Sequence, residues 1–156
     1  MYHHVQKAPW YLLLIVIGVG QIVFAAILPV TNVIRLVLGV SSGVLLLLSL
    51  AFKQMTVFEE NEELAVQFGP LPILRRRLPF SEMESVARGR TTILDGWGVH
   101  LSPRGGWTWN IWGRDCVTVR LRGNRIIHIG TDDPEGLEAF LKSRLGNARH
   151  VTVAAD

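Results

Sequence analysis

The sequence predicts an α+β protein: an N-terminal two-helix transmembrane hairpin, then an antiparallel β-barrel closed by a C-terminal helix. Three observations carry this. Apolar residues make up 49% of the 156-residue chain, yet they are concentrated before Lys53. Two runs in that part are each long enough to cross a bilayer. After Lys53 the pattern changes to short alternating segments broken by Gly, Pro, Asn and Asp, as in antiparallel β structure.

The first run, Trp10 to Leu28, holds one strongly polar residue, Gln21; the second, Val33 to Phe52, holds one charge, Arg35, close to its start. A hydrocarbon core of ~30 Å needs about 20 helical residues, which sets spans at about 10–28 and 33–52. Helices apolar on every face could be buried only inside a large protein, and about 100 residues follow. A cleaved signal peptide fits poorly, because its apolar core runs to ~7–15 residues and here a second span follows at once. The link Pro29–Val30–Thr31–Asn32 is so short that the helices must be antiparallel, with both ends emerging on one side. Lys7 and Lys53 flank that side, Arg35 sits at the tip, and no Asn-x-Ser/Thr sequon is present. This bias predicts a two-span protein of the cell inner (plasma) membrane with its termini and soluble domain in the cytoplasm. Gly39 and Gly43 form a small-xxx-small step on the second helix, and Gly18 lies at matching depth on the first. Such residues let backbones approach in lipid, either within the hairpin or between two copies. The chain thus divides into a hairpin over 1–53, a soluble domain over 54–146 and a tail over 147–156.

In the soluble domain, Met55 to Phe58 and Glu63 to Phe68 form a hairpin across the acidic turn Glu59–Glu62, with Leu64, Val66 and Phe68 on one face. Ile73 to Phe80 alternates as a third strand. Val86 to Leu94, Trp97 to Leu101 and Trp107 to Trp112 are weaker strand patterns. Cys116 to Arg122 sends Val117, Val119 and Leu121 inward, and a turn at Gly123 and Asn124 leads into Arg125 to Ile129. Asp132 or Asp133 before Pro134 starts a helix, since a carboxylate accepts the free N–H groups and proline suits the first position. Leu137, Phe140, Leu141 and Leu145 give that helix an apolar face, and Gly146 suits its end.

The stretch Trp107–Thr108–Trp109–Asn110, then Gly113–Arg114–Asp115, a strand, and Ile129 to Glu135 before a terminal helix resembles the bacterial membrane-anchored pleckstrin-homology-like (PH-like) proteins. The resemblance covers most of the chain in layout and Trp107 to about Leu145 in motif. It implies a PH-like barrel plugged by its last helix and a membrane setting, and it supplies no catalytic residues. Eukaryotic PH domains often read phosphoinositides through a basic first hairpin; the corresponding turn here is acidic.

Arg75, Arg76 and Arg77 are the densest basic cluster. Two uses fit them, contact with anionic lipid and a solvated or salt-bridged surface, but on a strand Arg76 must point away from its two neighbours. Trp107 and Trp109 share a strand face and fit a core, a membrane contact or a partner site. His100 and His128 have no companion at metal-ligand spacing, and adjacent His3 and His4 do not make a site. Ser81 with Glu84 has capping-box spacing. Cys116 is the only cysteine, so no intrachain disulfide or thiolate metal cage can form. Among the sixteen basic residues only Lys7 and Arg35 precede Lys53, so thirteen acids nearly balance those that follow and no nucleic-acid-binding field arises.

No catalytic grouping, metal site or cofactor site is expected. The sequence reads as a non-enzymatic membrane-anchored interaction module that binds a protein partner or a lipid headgroup at the membrane surface. The alternative is a small accessory subunit of a membrane enzyme or transporter. Its partners are expected to be the lipid bilayer and a membrane protein or a second copy, with no nucleic acid.

Overall fold

The structure, a computed structural model, describes residues 1–92 and 96–153. Its elements run β1 (His3–Lys7), α1 (Trp10–Ile27), α2 (Asn32–Ala51), β2 (Gln54–Glu60), β3 (Glu63–Phe68), β4 (Leu74–Pro79), β5 (Met83–Arg90), β6 (Gly98–Leu101), β7 (Trp107–Asn110), β8 (Asp115–Leu121), β9 (Arg125–Gly130) and α3 (Pro134–Val153).

The two apolar runs form α1 and α2, of 18 and 20 residues, and both are long and apolar enough to cross a membrane. Their contacts run in opposite directions along the pair. A Cβ at Gly18 would lie 3.3 Å from Leu46, the Ser41 and Ser42 hydroxyls donate to Gln21 Oε1 at 2.9 and 3.2 Å, and Arg35 Nε donates to the Ala25 carbonyl at 3.3 Å. Those polar side chains find their partners within the helix pair. Gly18 and Ala25 of α1, with Ser42 and Ser49 of α2, are the buried residues of the pair. Gly39 and Gly43 have nothing within 4 Å of a Cβ built on either, so of the three glycines expected to pack, only Gly18 reaches the opposite helix. The serines beside them occupy the interhelical face.

The soluble part contains two sheets. The first has the order β1-β2-β3-β4 and is antiparallel throughout; the second has the order β5-β8-β9-β7-β6. In the second sheet β7 pairs with β9 in parallel, Trp109 opposite Ile129, where an antiparallel arrangement was expected. Among the described residues no ladder joins the sheets, so the expected closed barrel does not form. The break falls at Pro79, which has no N–H to extend a ladder, followed by a 3₁₀ turn over Phe80–Glu82. The apolar faces of the sheets instead share one core, in which Val57, Leu64 and Val66 meet Val117, Val119 and Ile127.

The expected strand boundaries hold to within one to three residues where they can be compared; Leu94 lies outside the described residues. Leu64, Val66, Phe68, Val117, Val119 and Leu121 are all buried, as their alternation requires. The turn between β2 and β3 is two residues long, with Asn61 and Glu62 at φ 45° and 62°, the conformation that matches strand twist. Asp133 caps α3 by accepting from the Gly136 N–H at 3.0 Å, while Leu137 and Leu141 enter the core. The helix does not stop at Gly146. That residue has no positive φ, so no left-handed cap forms, and α3 runs on to Val153 through most of the expected tail.

β1 is an element the sequence pattern does not reveal. Its inward row is Tyr2, His4 and Gln6, polar or amphipathic residues that give no aliphatic period. They are held individually. The Tyr2 ring stacks on Phe140 at 5.1 Å with its hydroxyl on Asp133, His4 meets Asp132 at 2.5 Å, and the buried Gln6 amide donates to the Trp112 carbonyl at 2.9 Å. Burial and the adjacent Asp133 carboxylate push the Tyr2 hydroxyl well above its ordinary pKa. The consequence is mechanical. Lys7 lies directly opposite Gln54, so the segments that enter α1 and leave α2 are paired in one ladder.

Candidate membrane-surface site

The end of the hairpin that adjoins the domain, where α1 begins and α2 ends, carries two features. The first is the β3–β4 loop. Gly69 has φ +70°, and a Cβ there would lie 2.7 Å from the Leu50 carbonyl oxygen and 2.9 Å from the Ala51 Cα, so only glycine lets this loop rest on the backbone of α2. The next residues, Pro70, Leu71, Pro72 and Ile73, are apolar where a loop is ordinarily polar. Leu71 is 54% exposed and Ile73 79%. Between this loop and the last two turns of α2 lies a cavity of about 460 Å³, walled by Leu47, Leu48, Ala51, Phe68, Leu71 and Leu74.

The second feature is a tryptophan cluster. Trp10, the first residue of α1, lies 4.6 Å from Trp97 and 5.8 Å from Trp112, and those two rings stack at 5.3 Å. Trp97 is half exposed and Trp112 only slightly less. Rings with an apolar body and a polar N–H favour the boundary between hydrocarbon and water. Trp107 and Trp109 take other places. Trp109 is buried against Phe68 in the core, and Trp107 is partly exposed at the start of β7.

The three arginines divide as strand alternation requires. Arg75 and Arg77 lie opposite Gln67 and Ala65 on the outward face of the first sheet, where both pair with Glu60. Arg75 also lies over the Phe58 ring, 5.1 Å from its centre. Arg76 lies opposite Val66, in the row of Leu74 and Leu78, and among the described residues its side chain has no ion-pair or hydrogen-bond partner. The cluster is therefore one outward ion-pair network of Arg75 and Arg77 with Glu60 and Glu63, plus one separate guanidinium.

The Arg75 hydrogen bond, with the charge of both arginines, holds the Glu60 carboxyl below the usual glutamate range. Because the folded pKa is the lower one, this contribution to stability is complete above the unfolded pKa and disappears as pH falls through the folded pKa. Thermal denaturation between about pH 6 and pH 3 should therefore show a falling midpoint, and Glu60→Gln should flatten part of that fall. An equal fall in the variant would show that Glu60 contributes nothing to it.

His128 is held by the Thr118 hydroxyl at 2.9 Å and the Gly105 carbonyl at 3.1 Å, and Cys116 is buried in β8. Among the described residues no three His, Cys, Asp or Glu side chains are grouped to hold a metal ion. Sequence reasoning missed Gly69, Leu71, Ile73, Trp10 and Trp97 with Trp112 as a site. The loop was legible in principle, since two prolines bracketing Leu71 between strands put apolar residues where solvent would be expected.

Fold and site define an α+β chain whose two N-terminal apolar helices can cross a membrane and are built into the edge of a two-sheet domain. No protein-family profile matches the chain, and no curated protein matches it in sequence.

Proposed function

We propose that this chain is a non-enzymatic, membrane-anchored interaction module of PH-like type that sits on the bilayer surface and engages lipid there. The α1–α2 hairpin crosses the cell inner membrane with both termini and the domain in the cytoplasm, as the lysines flanking that end favour. The observation that carries the reading is the apolar surface that continues from α2 over the cavity to Leu71 and Ile73. In water that surface would be left exposed, whereas at the end of a membrane span it meets hydrocarbon. The tryptophan cluster at the same end and the β1–β2 ladder support it, because they leave the domain little freedom to swing away from the hairpin. Two sheets around one core with Leu137 and Leu141 of a terminal helix inserted are the features that favour the PH-like comparison.

The test uses the intact protein in vesicles with an environment-sensitive dye on Leu71→Cys or Ile73→Cys, the native Cys116 being buried. Blue-shifted emission quenched by bilayer-resident quenchers is expected. Water-like emission from both positions would overturn the seating of the domain on the membrane. The second reading, a small accessory subunit, is favoured by the open Gly39 and Gly43 face of α2. One stoichiometric membrane protein co-purifying in mild detergent would select it.

A further inference from the structure

Resting on that seating, we propose that the cavity between α2 and the β3–β4 loop is a binding site for one anionic phospholipid of the adjoining leaflet, with an acyl chain in the cavity and its phosphate on Arg76. The cavity, about 460 Å³, falls in the size range of small-ligand sites, roughly 300–1,000 Å³. Its walls are apolar side chains, so the complementary group is a hydrocarbon chain. One wall is the end of a helix long and apolar enough for a membrane, so the chain available there is that of a bilayer lipid.

The headgroup follows from the strand that leaves the cavity. Leu74 lines it, and Arg76 is the next residue on that face of β4, about 7 Å further along and away from α2. A phosphate lies at about that remove from the start of its hydrocarbon. Arg76 is half-buried, yet its guanidinium nitrogens are not enclosed, and no carboxylate neutralises it. Glu60 and Glu63 are on the other face with Arg75 and Arg77, and Glu59, on the same face as Arg76, pairs with Arg144. A fork of N–H donors beside an apolar slot suits a phosphodiester, and the uncompensated charge selects a lipid of net negative charge. Lys53, exposed just beyond the end of α2, adds to the same field.

The intact protein is reconstituted in nanodiscs containing equal phosphatidylglycerol and phosphatidylcholine, then released into mild detergent for native mass spectrometry of retained lipid. The wild type is expected to keep one phospholipid with phosphatidylglycerol in excess. Arg76→Gln should reduce that excess about fivefold, the effect of removing one basic side chain near the headgroups. Arg77→Gln, on the opposite face, should leave it unchanged, and Leu47→Trp, which fills the cavity, should reduce retention of both lipids. No excess of phosphatidylglycerol in the wild type, equal loss in the two arginine variants, or full retention in Leu47→Trp would each overturn the site. The dyes at positions 71 and 73 separate the two failures: bilayer-like emission with no effect of Arg76→Gln removes the lipid site and leaves the seating, whereas water-like emission removes the seating itself.

Discussion

Gly69→Ala is expected to weaken the folded domain by about 1–2 kcal/mol from backbone conformation alone, the cost of holding an L-residue in the left-handed region. A further loss comes from contact, because the new methyl would meet the Leu50 carbonyl and the Ala51 Cα, backbone atoms that no side-chain rotation can clear. The chain can relieve this only by lifting the Pro70–Ile73 loop from α2, which opens the cavity. Gly123→Ala is the reference, since Gly123 also has positive φ, +76°, but has open space around its Cβ position. Thermal melting of both variants in detergent separates the parts. The excess loss in Gly69→Ala reports the packing of loop on helix, and a dye at position 73 should shift towards solvent only in that variant. Equal melting points would mean that the loop is not held on α2.

That the decisive glycine lies outside the legible part of the sequence has a physical cause. Alternation and hydrophobic run length report how a segment meets the core or the bilayer: run length located α1 and α2, which are apolar nearly all round, and periodicity located β3, β8 and the start of α3, which bury a regular face. The branched inward rows of β3 and β8 left no other register. β1 escaped because its inward residues are satisfied one by one, Tyr2 on Phe140 and Gln6 on the Trp112 carbonyl, which no periodicity encodes. The site escaped for a related reason: Trp10, Trp97 and Trp112 are far apart in the chain, and only the pairing of β1 with β2 brings the start of α1 to the end of the second sheet. The division of Arg75, Arg76 and Arg77 between two faces was readable from alternation. That Glu60 would take the outward pair was not, because it depends on the register between β2, β3 and β4.

The same register gives the second large effect, in β1. Hydrogen-bonded pairs alternate along an antiparallel ladder. The Glu59 N–H donates to the Tyr2 carbonyl at 2.9 Å, so the pair Tyr2–Glu59 is a bonded one. Two residues on, His4–Val57 and then Gln6–Met55 are bonded as well, and the Val5 N–H points to the open edge of the sheet. His4→Pro therefore removes a donor that β2 requires and leaves a carbonyl unpaired, a loss of about 1–3 kcal/mol. Val5→Pro removes a donor that has no partner in the sheet and should cost far less. His4→Ala measures the side chain's contact with Asp132 separately, so the proline effect can be read as backbone alone. Hydrogen exchange at Val57 is the direct probe, with protection lost in His4→Pro and kept in Val5→Pro. With β1 released, the Lys53–Gln54 junction is the covalent link left between hairpin and sheet, and the Trp10–Trp97–Trp112 cluster should loosen with it. Protection lost equally in both variants would mean that the effect does not come from the single donor at position 4, and protection kept in both would mean that the hairpin is not fixed to the domain in the way its seating on a membrane requires.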